Sequence, residues 1–515
     1  MRISDGTETL ETEEKNRTSS TKTGIAVRCL LFFAVLLIAF RGLYGVFGYR
    51  GQGGGGGLRN FYAAKRGSID LMVFGSSHSH CTFDNSRLWK DTGIASYTLT
   101  AGAQSFDNTW YYVREALKTQ HPQLVMVETF NVALPAYDEA QGRYVTELGN
   151  FYRTDLDLKW SADYAEVIRS QKQAYGLDDE FAGALLFKLP ILHTRYESLG
   201  EDNFRNRYWF RKGYLGSDEC APQLPPEPTD ERSVPQGIGP EALVKIMDLC
   251  GEKGVNLLLY CAPCAEGGGH NMAVQNYVAD LCAERNVPYL NFNTFYGETG
   301  IDFATDFRDS GHLNNNGSAK LMTWLERWLT EHYTFPDHRG DPAYAEWDLD
   351  ARYLEDRADF LRLARAGDIN EYLEILAGSA DRYVTVITLD GDYNAQGEDA
   401  YAPSLAALGI SRQAYLEGGC FVLENGALSY ASGAGEGSYV SRCGRRPVTA
   451  ERRPDEDGAC TDRVRVGTTD CTTDTNGANI LVYDAVLDVI VDAAYIDVYE
   501  SLLPQRGIDV DEISG

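Results

Sequence analysis

Five short apolar runs, separated by helix-length segments, constrain the fold of this chain more than any other feature. They lie at residues 69–74, 95–100, 124–127, 255–260 and 287–292. Short runs that are largely apolar are typical of strands buried on both faces. Because helical segments alternate with them, we predict an α/β domain built on a parallel sheet that helices cover on both sides.

Helical periodicity accompanies these runs at residues 105–119, 240–253 and 271–285, and a final helix is predicted at about 316–333. A long, aromatic and partly helical insertion, residues 135–235, separates the third run from the fourth. In open parallel sheets, reactive groups collect beyond the carboxyl ends of the strands. Ser77 has that position after the first strand, and Asn131 has it after the third.

The chain is too long, at 515 residues, for one compact core, so several units are expected. We divide it into a disordered tail (1–24), a transmembrane anchor (25–47), a glycine-rich linker (48–57), the α/β domain (58–335), a helical connector (336–380) and a β-rich accessory domain (381–515). The formal charge of −28 would repel phosphates, which argues against nucleic acid as a partner.

The anchor prediction rests on a predominantly apolar segment, residues 25–47, with an unbroken apolar core at 29–40. The whole segment is long enough to cross a bilayer, with Arg28 and Arg41 reaching toward the two interfaces. A cleaved signal peptide is the rival interpretation, but no small-residue cleavage site follows the apolar core. We expect a single-pass protein of the cell membrane. A large domain after one anchor usually lies outside, so we expect an extracytoplasmic domain.

Four of the eleven cysteines crowd into the C-terminal part of the chain: Cys420, Cys443, Cys460 and Cys471. This suits two disulfides in an oxidising compartment, although the pairing stays open. Cys261 and Cys264 form a CxxC. A zinc site that adds Cys282 and His270 has loose ligand spacing, so a local disulfide or two free thiols is favoured over it.

A candidate nucleophile lies in residues 71–78, Leu-Met-Val-Phe-Gly-Ser-Ser-His, where a tight turn follows an apolar strand. Far downstream, Asp309-Ser-Gly-His312 places an acid and an imidazole three residues apart. A serine hydroxyl needs an adjacent base to become nucleophilic. Asp309 can hold the imidazole Nδ1–H and leave Nε2 for the proton of Ser77. Each pattern alone is commonplace; together they make Ser77, His312 and Asp309 the candidate catalytic residues.

His78 directly follows the candidate nucleophile. It is a poor candidate for the base, because neighbouring side chains point apart. A metal pair of His78 and His80 is also possible, but packing or polar support for the turn is favoured. The sequence therefore implies no cofactor and no metal.

These blocks resemble the motifs of the SGNH, or GDSL-like, hydrolase family over about residues 60–333. The Gly-Ser-Ser that ends at Ser77 looks like the first motif, with Ser77 at the nucleophile position. Gly102 and Asn131 lie where the second and third motifs supply oxyanion-hole groups. The block from Asp309 to His312 looks like the fifth motif. The resemblance implies a flavodoxin-like, three-layer domain with a Ser-His-Asp triad.

Two departures from the family pattern matter. Gly-Ser-Ser replaces the usual Gly-Asp-Ser, as in the membrane-tethered members that resemble the D-alanyl and alginate acylation proteins. Glu128-Thr-Phe-Asn131 replaces Gly-x-Asn-Asp, so a strand-end turn residue is the competing interpretation of Asn131. In the C-terminal part, residues 476–484 and 490–497 resemble the interleukin-like EMT inducer fold. Any small disulfide-linked β domain is the alternative there.

The resemblance implies an anchored serine esterase or O-acyltransferase that acts on acyl esters, most simply acetyl, of a cell-surface glycan. The implied partners are a cell-surface polysaccharide or a lipid-linked glycan, with a multi-span membrane O-acyltransferase as a further candidate. Residues 204–214, with Trp209 and three arginines, could form a sugar-stacking wall or ordinary core. The competing function is a non-catalytic surface, assembly or glycan-binding protein that keeps the fold.

Overall fold

The computed structural model describes residues 7–47, 55–133, 137–138, 143–144, 162–187, 193–199, 203–204, 210–235, 237–391, 400–454, 460–473, 477–497 and 501–506. The glycine-rich linker at 48–54 and most of the proposed sugar-stacking wall, 205–209, lie outside these residues. Within the wall segment, Phe210, Arg211, Lys212 and Tyr214 are buried, so this part belongs to the core.

The first domain is built on a five-stranded parallel sheet. Its strands are β1 (Leu71–Gly75), β2 (Ser96–Thr100), β3 (Leu124–Glu128), β4 (Asn256–Cys261) and β5 (Tyr289–Asn291). They pair in the order β2-β1-β3-β4-β5, which is the order of flavodoxin-like doubly wound sheets. The α/β prediction is confirmed, and each strand begins and ends within two residues of its predicted run.

The helices of this half of the chain follow in order. They are α1 (Thr7–Phe47), α2 (Gly55–Ala63), α3 (Ser77–His80), α4 (Asn85–Thr92), α5 (Phe106–Ala116), α6 (Ala162–Tyr175), α7 (Asp179–Phe187), α8 (Gly239–Lys253), α9 (Gly268–Arg285) and α10 (Asn315–His332). Short 3₁₀ turns lie at Phe130–Ala133, His193–Ser198, Phe210–Gly213, Phe292–Thr294 and Tyr296–Thr299.

The sheet has a hydrophobic core on each face, because successive side chains of a strand point to opposite sides. Met72, Phe74, Val125 and Val127 belong to the core that α5, α8 and α9 cover. Leu71, Val73, Leu124 and Met126 belong to the second core, which α10 covers with Leu321, Met322, Leu325 and Leu329. The result is a three-layer arrangement with the carboxyl ends of all five strands at one edge.

Helix α1 differs from the prediction at its start. We expected residues 1–24 to be disordered, whereas the helix begins at Thr7 and continues without interruption to Phe47. The polar residues before Gly24 join the helix because an apolar helix that has already formed can be extended at low cost. Its Gly24–Phe47 part is the one helix among the described residues that is long and apolar enough to cross a membrane.

The C-terminal part contains two antiparallel sheets. The larger has the order β8-β7-β6-β13-β14-β15, formed by β6 (Val384–Leu389), β7 (Gly419–Glu424), β8 (Ala427–Ala431), β13 (Gly477–Asp484), β14 (Val489–Asp497) and β15 (Ser501–Arg506). The smaller has the order β9-β10-β11-β12, formed by β9 (Gly437–Ser441), β10 (Val448–Pro454), β11 (Cys460–Val466) and β12 (Thr469–Asp470). Two short helices, α13 (Ala402–Ala406) and α14 (Arg412–Glu417), complete it. The β-rich prediction is confirmed.

The predicted disulfides of this part are absent: all eleven cysteines lie among the described residues, and each is a free thiol. Cys420 and Cys471 are buried in the hydrophobic cluster between the two sheets, whereas Cys443 is exposed and Cys460 is half-buried. The four side chains are thus divided between core and surface. Apolar packing of Val448, Val464 and Val466 fills the space between the sheets instead.

The predicted connector consists of two helices, α11 (Ala345–Ala364) and α12 (Ile369–Ser379). Helix α11 joins the two domains, since Trp347 lies in a core of the first domain and Tyr353 in the core of the second. Helix α12 packs entirely into the second core through Ile369, Tyr372 and Leu373. The connector is therefore part of both cores.

A buried ion pair strengthens this junction. Arg211 and Lys212 of the insertion both have positive φ, 71° and 48°, and are 3% and 2% exposed. Asp350 of α11 is fully buried and accepts the Arg211 N–H, while its other oxygen lies 3.1 Å from Lys212 Nζ. The Asp350 carboxylate thus pairs with the Lys212 ammonium and accepts a hydrogen bond from the Arg211 backbone, two groups that are buried away from water.

Replacing Asp350 tests this arrangement. We expect Asp350→Asn to lower the free energy of unfolding by about 3 kcal/mol, because it leaves a buried cation without its nearest counter-charge. The matched control is Glu355→Gln on the same helix, whose ion pair with Lys90 is exposed; its effect should stay below about 1 kcal/mol. Denaturant titration of the full chain in detergent measures both, and equal effects would contradict the assignment.

Candidate active site

The turn that carries Ser77 depends on a glycine at the end of β1. Gly75 has φ 143°, and a Cβ there would stand 2.3 Å from Ser79 Oγ and 2.7 Å from Glu128 Cβ. A side chain at this position would therefore collide with its neighbours. The chain leaves the strand at Ser76 and enters the short helix α3, so Ser77 stands at the carboxyl edge of the sheet, half-buried.

His312 is brought to the same place by a tight loop before α10. The Asp309 carboxylate organises this loop, since its Oδ1 accepts the N–H of Gly311 at 2.8 Å and that of His312 at 2.9 Å. Below it, the Arg308 N–H donates to the His312 carbonyl at 3.0 Å. These hydrogen bonds fix the conformation of the loop without any contribution from Ser77.

The three predicted catalytic side chains form one continuous hydrogen-bonded chain. His312 Nε2 lies 2.7 Å from Ser77 Oγ. On the other side of the ring, His312 Nδ1 lies 2.8 Å from Asp309 Oδ1 and 2.9 Å from Oδ2. An imidazole whose Nδ1–H is held by a carboxylate leaves Nε2 as the acceptor for a hydroxyl proton.

Asp309 stays ionised in this setting. Burial acts to raise its pKa, but the Gly311 N–H bond, the His312 ring and the Arg308 charge together outweigh burial, so that the pKa is lowered. The Arg308 Nε lies 3.3 Å from Asp309 Oδ2. A charged carboxylate is the form that orients an imidazole and stabilises its protonated state.

Two loops support the Asp309–His312 loop from outside. The N–H groups of Ala265 and Glu266, in the β4–α9 loop, donate to the Ser310 carbonyl at 2.8 and 2.9 Å. On the other side, the fully buried Asp306 accepts from Lys320 Nζ at 2.7 Å. These contacts fix the loop to the β4–α9 loop and the segment before it to α10. Sequence reasoning missed the first, because backbone donors carry no residue signature, and it did not single out the Asp306–Lys320 pair.

His78 lies beside the triad and is fully enclosed. Its ring stacks on Phe130 with centroids 3.9 Å apart, and the His312 ring lies 4.9 Å away. Its Nδ1 is 3.3 Å from Ser76 Oγ. Burial first, and then the nearby His312 and His80, lower its pKa well below the usual value, so the ring is neutral. These contacts fit the predicted support role.

The predicted oxyanion residues lie on the loops after β2 and β3, the two strands that flank β1. Asn131 is buried, and its Nδ2 donates to the Gln104 carbonyl at 2.8 Å. That bond ties the Asn131 turn to the loop that contains Gly102. An amide nitrogen carries two hydrogens, and this bond uses one of them. Sequence reasoning did not foresee that Asn131 joins the two loops.

Glu128 ends β3 and packs against Gly75, in the turn that carries Ser77. It is 1% exposed, and its Oε1 accepts the Phe130 N–H at 2.9 Å. Burial raises its pKa to about 8, against the opposing effect of N–H bonds from Phe130, Ala262 and Thr129. The carboxyl is therefore held protonated at neutral pH.

The CxxC thiols lie at the end of β4 and beyond it. Cys261 and Cys264 are fully buried, and side-chain amides of Asn293 and Asn271 approach their sulfurs at 3.5 Å. The contact with Cys264, followed by burial, raises the pKa of Cys261 well above its usual value. Among the described residues, no cluster of three or more His, Cys, Asp or Glu side chains is arranged to hold a metal ion.

Comparison with known proteins adds no assignment. No protein-family model matches the chain, and no curated protein sequence matches it significantly.

The protonated Glu128 predicts a pH dependence of stability. Its pKa rises from the usual 4.5 to about 8 on folding, so between these values the unfolded chain has released a proton that the folded chain keeps. Stability is therefore highest below this window and falls as the pH rises through it, by up to about 1.4 kcal/mol per pH unit.

Glu128→Gln should remove the part of this slope that Glu128 contributes, because a neutral amide replaces a neutral acid. The part from Glu326 and Asp356, whose pKa values burial also raises to about 8, should remain. Urea titrations at about pH 5 and about pH 8 measure the effect for the wild type and the variant. Glu252→Gln, at an exposed position of α8, is the control and should keep the wild-type pH dependence. An unchanged slope in Glu128→Gln would show that the carboxyl ionises normally in the folded chain.

Proposed function

We propose that this chain is a membrane-anchored serine esterase or O-acyltransferase of the SGNH type. Its substrates would be acyl esters, acetyl most simply, of a cell-surface glycan. The observation that carries the proposal is the 2.7 Å contact between Ser77 Oγ and His312 Nε2. It gains force from the 2.8 Å contact between His312 Nδ1 and the ionised Asp309.

The first half of the reaction forms an acyl-enzyme. Ser77 Oγ attacks the ester carbonyl carbon while its proton passes to His312 Nε2. The carbonyl oxygen becomes an oxyanion, to which the N–H groups of Ser77 and Gly102 and the Asn131 amide would donate hydrogen bonds. The bond to the sugar oxygen then breaks, and His312 returns the proton to the leaving alkoxide.

The second half releases the acyl group to an acceptor hydroxyl. His312 takes the proton of water or of a sugar hydroxyl, whose oxygen attacks the acyl carbon, and Ser77 is regenerated. Water gives an esterase and a sugar hydroxyl gives a transferase. The Gly24–Phe47 helix favours a substrate held at the membrane surface, so we place transfer slightly ahead of hydrolysis.

The anchor also determines the proposed setting. In this proposal the single helix Gly24–Phe47 holds the domains outside the cytoplasm, close to polysaccharide or lipid-linked glycan. A multi-span membrane O-acyltransferase is the proposed source of acyl groups. The β-rich domain, which resembles the interleukin-like EMT inducer fold in sequence, would then contact carbohydrate or protein.

A non-catalytic surface or assembly protein is the second candidate. One observation favours it: the Asn131 amide already binds the Gln104 carbonyl, so one of its two donors is used inside the protein. A site that has lost its oxyanion donors would keep the fold and bind ligands without turning them over.

The nucleophile assignment is tested by chemical labelling. A fluorophosphonate probe should label the wild-type chain, and Ser77→Ala should abolish labelling and reduce hydrolysis of acetylated model esters by at least about 10³-fold. Ser429→Ala, at an exposed position of β8, is the control and should behave as wild type. A folded wild-type chain that neither labels nor hydrolyses esters would favour the non-catalytic candidate.

Acceptor choice separates transfer from hydrolysis. With an acetyl ester as donor, added oligosaccharide should become acetylated, and free acetate should fall in proportion, because both acceptors compete for one acyl-enzyme. Mass spectrometry of the oligosaccharide and acetate release measure the two fluxes. If ester is consumed while the oligosaccharide is never acylated, the chain is an esterase and the transfer proposal fails.

A further inference from the structure

The end of the anchor helix is packed against the protein, unlike the rest of it. Most side chains from Gly24 to Leu43 are exposed, for example Leu30 at 71% and Ile38 at 72%. The last four residues, 44–47, are only half exposed. The protein therefore covers the helix only at its last turn, where residues of the insertion contact it.

Two side chains of the insertion bind the end of this helix. The Asn203 amide donates to the Val46 carbonyl at 3.0 Å, and the Arg195 guanidinium donates to the Phe47 carbonyl. The last carbonyls of a helix have no partner within the helix, and cations are favourable at this end. Because the insertion supplies these partners, the domain is docked on its anchor and does not depend on the linker alone for its position.

An exposed aromatic ring directly follows each of these two residues. Tyr196 follows Arg195 and is 63% exposed, and Phe204 follows Asn203 and is 69% exposed. One exposed ring alone would need no explanation, but two that each follow a residue bound to the end of α1 place aromatic surface beside the helix exit. Their backbone neighbours are fixed to the anchor, so both rings lie close to the level at which α1 ends.

The length of the apolar helix sets that level. The 24 residues of Gly24–Phe47 extend about 36 Å at about 1.5 Å per residue, which is longer than a hydrocarbon core of about 30 Å. The final turn of α1 therefore falls in the headgroup region. Aromatic side chains and arginine are favoured at that depth, since each has an apolar body and a polar or cationic group.

We propose that Arg195, Tyr196, Asn203 and Phe204 form a membrane collar, a surface that seats the domain on the lipid bilayer around the exit of α1. The proposal rests on the anchor of the proposed function. It adds that the domain lies against the bilayer in one orientation. The partner is the lipid itself, because the collar continues directly from a helix with apolar, exposed side chains.

Photo-crosslinking of the full chain in phosphatidylcholine vesicles tests the collar. p-Benzoylphenylalanine replaces Tyr196 or Phe204 in separate variants. Leu36, in the middle of the apolar helix, is the position that reports crossing of the bilayer. Val486, 57% exposed in the turn between β13 and β14, is the control outside it. Mass spectrometry counts covalent lipid adducts at each position.

We expect lipid adducts at Tyr196 and Phe204 about tenfold above those at Val486, because rings in the headgroup region contact lipid continuously. Adducts at Leu36 but only background yield at both collar positions would overturn the collar and leave the anchor intact. No adducts at Leu36 would overturn the anchor, and the collar with it. Adducts from the collar to a second copy of the chain would overturn it in favour of self-association.

Discussion

Ser77 and His312 lie 235 positions apart in the chain, and the contact between them depends on how four residues fold. The Asp309 carboxylate gathers two N–H groups of its own loop before it holds the imidazole. That loop is then fixed from outside by the β4–α9 loop through the Ser310 carbonyl. The Asp309 carboxylate thus fixes the backbone of its own loop and also orients the His312 imidazole.

The parallel sheet was predictable from the sequence because each buried strand corresponds to a short apolar run. The candidate triad was predictable because Ser77 and His312 occupy turn positions at strand and helix ends. The role of α11 was not, because Asp350 binds Arg211, 139 positions away, and Trp347 binds the Ser96 carbonyl, 251 positions away in the first domain. The disulfides were wrongly predicted, since cysteine content does not record which side of a sheet each thiol faces.

Buried and exposed acidic residues of this protein differ in their protonation at neutral pH. Burial raises the pKa of Glu128, Glu326 and Asp356 to about 8 each, with the Asp484 charge adding to the effect at Asp356. These carboxyls act as neutral hydrogen-bonding groups at neutral pH. The formal charge of −28 therefore overstates the real one, and the argument against nucleic acid depends on the exposed acids, which remain numerous.

Helix α11 contacts both halves of the chain, and this limits where the chain can be truncated. On one side Asp350 binds Arg211 and Lys212, and on the other Arg352 pairs with Asp484 at 2.7 Å. A polypeptide that stopped at residue 335 would keep every strand of the parallel sheet, but it would uncover Trp89 and leave the buried Lys212 without its carboxylate partners Glu346 and Asp350. Arg211 would keep its ion pair with Asp84 and lose only the acceptor of its backbone N–H. The C-terminal half therefore supplies part of the packing of the first, and a search for a minimal stable fragment should begin with both halves.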